Sequence, residues 1–67
     1  MSADNIIYVK RSKNAWKVWH QSASTKPRAN KDCKVYKKFD KAMDSAIKLE
    51  EKVGYVEYGI TILDGLL

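Results

Sequence analysis

The sequence predicts an α+β domain: a mostly antiparallel sheet of three to four strands with one helix packed on one face, in the order β-β-β-α-β. Two kinds of periodicity predict it. Within Asp40–Gly54, Ala42, Ala46, Leu49 and Val53 recur at the spacing of one helix face, and Met43 and Ile47 widen the stripe. In Ala15–Gln21 and again in Tyr55–Leu63, residues alternate with the period of two that marks a half-buried strand.

Residues 1–5 read as a polar tail, and Ile6-Ile7-Tyr8-Val9-Lys10 is β-branched and aromatic, as a strand should be. The turn-prone Ser12-Lys13-Asn14 makes a hairpin the economical connection to Ala15–Gln21. There Trp16, Val18 and His20 share one face and Lys17, Trp19 and Gln21 the other. Trp16 and Val18 are expected inward, because the opposite choice buries Lys17 and Gln21 without partners.

Residues 22–32 carry no apolar periodicity and one proline, Pro27, so they read as a long basic loop with Lys26, Arg28 and Lys31. Cys33–Lys38 is expected to form a short third strand with Val35 inward and Lys34, Tyr36 and Lys38 outward. Asp40 is expected to cap the helix and Gly54 to close it. Tyr55–Leu63 then reads as a strand with Val56, Tyr58, Ile60 and Ile62 inward, and Asp64-Gly65 as a stop. One helix covers one sheet face, so the other is expected to display Tyr8, Lys10, Lys17, Trp19, Lys34, Tyr36 and Lys38.

Sixty-seven residues make one small domain, and a chain this short buries only about 60% of the surface it exposes when unfolded. The single cysteine, Cys33, fits a reducing cytoplasm, and no apolar run approaches the ~18 residues that span a bilayer. Net charge is +5, unevenly spread. From Lys10 to Lys38 there are ten basic residues and one acid, a balance of +9; from Phe39 to Leu67 there are three basic residues and six acids, a balance of −3.

Catalysis finds no support in these residues. His20 is the only histidine and no carboxylate or nucleophile is set beside it by sequence; Glu50-Glu51 reads as a solvated helix face. Metal-ligand spacing is absent, and Gly54, Gly59 and Gly65 are isolated, so no glycine-rich phosphate loop is present. A non-enzymatic protein without a cofactor is expected.

The stretch Trp16-Lys-Val-Trp, with Lys34-Val-Tyr-Lys-Lys-Phe-Asp40 leading into Ala42 and Ala46, resembles the three-stranded arm-site DNA-binding domains of phage integrases. That resemblance implies that the exposed sheet face meets DNA, through Lys17 and Trp19 on the second strand and Lys34, Tyr36 and Lys38 on the third. The sequence departs from the family's pattern at Lys41, where threonine is usual, and in having a strand after the helix. The opening Met-Ser-Ala-Asp-Asn with Tyr8, and the closing Glu57-Tyr-Gly-Ile60, resemble a group of small tailed-phage proteins. That resemblance implies phage origin and the bacterial host cytoplasm, and brings no assigned activity with it.

Nucleic-acid binding through a basic, aromatic-bearing sheet face is therefore the leading functional expectation. Lys10, Lys17, Lys26, Arg28, Lys34 and Lys38 would meet phosphates, and Trp19 and Tyr36 would stack against base or sugar. The alternative is a phage accessory protein that binds and modulates a host protein through the same aromatic face. A homodimer through that face or through an unpaired strand edge is a third reading.

Overall fold

The computed structural model of the chain describes residues 4–63. Most of the expected N-terminal tail, the stop at Asp64-Gly65 and the closing Leu66-Leu67 lie outside the described residues. Strands β1 (Asn5–Ser12) and β2 (Ala15–Ser22) form the expected antiparallel hairpin, with Ser12 opposite Ala15 across a two-residue turn. Lys13 in that turn has φ 53°, a left-handed conformation that costs a residue with a side chain about 1 kcal/mol and costs glycine little. Lys13→Gly is accordingly expected to raise the unfolding free energy by about 0.5 kcal/mol, read from urea denaturation.

Strand β3 (Lys34–Tyr36) pairs antiparallel with β2, and helix α1 (Phe39–Val53) then carries the chain across the sheet to β4 (Ile60–Leu63), which runs parallel to β1. The order is β3-β2-β1-β4. Such a parallel return needs a crossover, and the helix supplies it. The result is the expected α+β architecture with a mostly antiparallel sheet.

Helix α1 lays Ala42 and Ala46, both fully buried, on Ile7, Val9 and Val18; Val56 completes this cluster, with Trp16, Tyr36, Met43, Leu49 and Ile60 packed around it. Alanine at the contact lets the helix backbone come close to the strands. The start of the helix differs from expectation. Lys38, not Asp40, occupies the cap position and makes no side-chain capping bond, while Asp40 lies inside the first turn, where its carboxylate suits the positive end of the helix. Phe39 packs on Trp16 with ring centroids 4.7 Å apart. Gly54 ends the helix at φ 98°, its N–H donating to the Glu50 carbonyl at 3.0 Å.

The second sheet face also has an apolar layer. Ile6, Tyr8 and Trp19 are buried there, with Ala23, Cys33 and Leu63 against them. Four consecutive β1 residues, Ile6 to Val9, are consequently buried, the pattern of a strand covered on both sides.

Several expected core positions are corrected. Val35 is 57% exposed and pairs with Lys17 on the side away from the helix. Tyr36 takes the place expected for Val35: it pairs with Trp16 beside the helix, where its hydroxyl donates to Ser45 Oγ at 2.9 Å. The larger ring fills more of that space and keeps its polar tip satisfied. Tyr58, Ile62 and Ile47 are also substantially exposed. The expected strand from Tyr55 begins only at Ile60, because Asn5 binds the preceding turn. Asn5 Nδ2 donates to the Tyr55 carbonyl at 2.9 Å, Asn5 Oδ1 accepts the Glu57 N–H at 2.9 Å, and the Asn5 carbonyl accepts the Tyr58 N–H at 3.2 Å.

Candidate nucleic-acid interface

The first part of the loop that follows β2 is tied to the sheet face opposite the helix by Gln21, and its end, from Asn30 to Cys33, lines the cleft on the helix side. Gln21, on the same face as Trp19 by strand alternation, is the clasp. Its Oε1 accepts from Trp19 Nε1 at 2.7 Å and from the Arg28 N–H at 2.9 Å. Its Nε2 donates to the carbonyls of Ser22, Thr25 and Lys26 and to Thr25 Oγ1, all within 3.2 Å. Asn30 adds a second clasp, donating from Nδ2 to the His20 carbonyl and accepting the Asp32 N–H on Oδ1, each at 3.0 Å. The loop is thus tied to the strand by side-chain hydrogen bonds, and Trp19 is 1% exposed.

This geometry sorts the eight expected site residues into two groups. Lys10, Lys17, Lys26 and Arg28 belong to one side of the molecule. Lys10 and Lys17 are direct cross-strand partners on the uncovered part of that sheet face, and Lys26 and Arg28 are exposed on the loop that Gln21 holds further along β2. Trp19 lies below this surface, its ring 5.5 Å from that of Tyr8, so the stacking role expected for it is not open to a ligand. Lys34 and Tyr36 are on the helix side, a correction to the expected face that follows from the register Val18–Lys34 and Trp16–Tyr36. Lys38 is exposed at the N-cap position of the helix. Lys34 there borders a cleft of about 760 Å³ between β2 and the helix, shared with His20, Ser45, Leu49 and Lys52.

Electrostatically, the first group occupies an unbroken basic stretch. No acid occurs between Asp4 and Asp32, while Lys10, Arg11, Lys13, Lys17, Lys26, Arg28 and Lys31 do. Like charges directly opposite on a sheet repel, so the Lys10–Lys17 pair destabilises the free protein slightly and is relieved by an anion placed between them. The helix layer differs in kind: its exposed Lys48 is engaged by Asp44 at 3.3 Å, an i,i+4 pair.

Sequence reasoning missed Gln21 and Asn30, the two side chains that hold the basic loop in place. The available signal was Gln21 alternating onto the Trp19 face, where a buried indole N–H needs an acceptor. Among the described residues no cluster of His, Cys, Asp or Glu is suited to hold a metal ion, and no helix is long and apolar enough to cross a membrane.

No protein-family model matches this chain, no curated protein is significantly similar to it, and no solved structure is either.

Proposed function

We propose that this chain is a non-enzymatic, phage-encoded nucleic-acid-binding protein of the bacterial cytoplasm, which grips phosphates with the loop-covered side of its sheet. The observation that supports it most is the Lys10–Lys17 cross-strand pair, in a stretch of sequence without acids that also supplies Lys26 and Arg28 on the loop held by Gln21. Among the described residues Lys10, Lys17, Lys26 and Arg28 have no carboxylate partner, and such cations suit a polyanion, because binding releases condensed counterions and removes the like-charge repulsion. With Trp19 and Tyr8 inside, this side offers neither ring as a stacking platform. Contact is then mainly to phosphates, which favours duplex over single strands, and lysine as a point charge gives weak sequence preference. The alternative of a host-protein hot spot rested on an open aromatic face; Tyr8 and Trp19 are buried on that face and Tyr36 lies on the helix side.

Titration of labelled duplex at two salt concentrations tests the reading. With about four phosphates neutralised, log K is expected to fall against log salt with a slope of roughly −4. The double variant Lys10→Glu/Lys17→Glu is expected to lose about tenfold or more in affinity, and Lys41→Glu on the helix layer to stay within about twofold. Affinity weaker than about 10⁻⁴ M at low salt, or equal losses in both variants, would remove the proposal.

A further inference from the structure

We infer that β4 is a docking edge for a second copy of this chain, giving a two-fold dimer with one continuous eight-stranded sheet. Among the described residues β4 pairs only with β1, so its other side is a free edge. The Ile7 N–H donates to the Gly59 carbonyl at 3.0 Å. Backbone alternation therefore turns the groups of Gly59, Thr61 and Leu63 toward β1, and those of Ile60 and Ile62 outward.

That pattern selects the partner strand and its register. Two β4 strands related by a two-fold axis normal to the sheet pair antiparallel and keep both helices on one face. Centred on Thr61, the pairing sets Ile60 opposite Ile62 of the second copy and Ile62 opposite its Ile60, which uses every outward N–H and C=O of these two residues. Their side chains, on the helix face, become cross-strand β-branched neighbours. Ile62 is 49% exposed in the single chain and Ile47, one turn past Met43 on the helix, is 46% exposed; both would be covered.

Charge argues for a second copy in particular. Ile60–Leu63 carries no charge, whereas the opposite edge, β3, begins with Lys34 and is followed by Lys37 and Lys38, the kind of residues that discourage strand addition. Joining at β4 puts the two basic ends at opposite extremities of the sheet. The same register brings Leu63, with Lys10 behind it on β1, against the partner's Gly59 turn, which carries an acid at Glu57. Four residues of edge fall short of a standard interface of roughly 1,600 Å², so the dimer is weak and reversible, with a dissociation constant on the order of 10⁻⁵ to 10⁻⁴ M.

Sedimentation equilibrium of nuclease-treated protein in high salt, from about 10 to 500 µM, tests this independently of nucleic-acid binding. The weight-average mass is expected to rise from one chain toward two, while Ile62→Lys and Ile47→Glu, both at exposed positions, remain monomeric with unchanged circular dichroism. Amide exchange gives the residue-level readout: the outward Ile60 and Ile62 amides gain protection with concentration, and the inward Thr61 and Leu63 amides do not. A mass that stays at one chain, growth beyond two, undiminished association of Ile62→Lys, or concentration-independent exchange at Ile60 and Ile62 would each overturn the inference.

Discussion

Trp19→Ala is expected to lower the unfolding free energy by about 3–5 kcal/mol, most of what a domain of this size possesses. The side chain is 1% exposed, packed against the tilted ring of Tyr8, and donates to Gln21, which in turn holds Thr25, Lys26 and Arg28. Truncation leaves a cavity between sheet and loop and frees the clasp, so loop and core are lost together. Trp16→Ala should cost less, because Trp16 is only half-buried and rests on Phe39, itself 40% exposed. Thermal unfolding of both variants checks the order. A Trp19→Ala protein that melts above Trp16→Ala would show that the loop does not cover the second face.

Asn5→Ala is expected to cost about 2 kcal/mol, large for a polar residue near a chain end. Its amide donates to the Tyr55 carbonyl and accepts from the Glu57 N–H, and these two backbone partners fix its orientation. Its Nδ2 also lies 3.1 Å from His20 Nε2, which must then be the acceptor. Alanine strands a partly buried N–H and detaches the turn between α1 and β4. Urea denaturation reads the loss, and amide exchange should show Glu57 opening locally in the variant. A change below about 0.5 kcal/mol would mean that water replaces the side chain at no cost.

The elements that rest on long periodic stretches were legible from sequence: the helix from Ala42, Ala46 and Leu49, the hairpin, and the inward Trp16 and Val18. Alternation sorts residues into two faces but does not say what covers each. Tyr8 and Trp19 were placed on the correct face and read as exposed, because nothing in the composition of residues 22–32 announces that Gln21 binds them down. In β3, three residues are too few for a pattern to fix register, and the size of Tyr36 with its bond to Ser45 decided against Val35. The alternation from Tyr55 is real in the sequence, but Asn5 competes for the backbone groups a longer strand would need. Of the candidate interface, the cations were legible one by one; their division between the two layers depended on that register and on the loop.

The parallel pairing of β1 with β4 bears on the order of folding. Ser12 and Ala15 meet across a two-residue turn, whereas Ile7 meets Ile60 only after nearly the whole described chain has been made compact. Contacts between residues far apart in sequence carry a larger loop-closure entropy and form late. The hairpin is the natural nucleus, and β4 the strand that docks last. Until it does, the β1 edge that carries Ile7 and Val9 stands open, so the interval before docking is when this chain is most prone to aggregate.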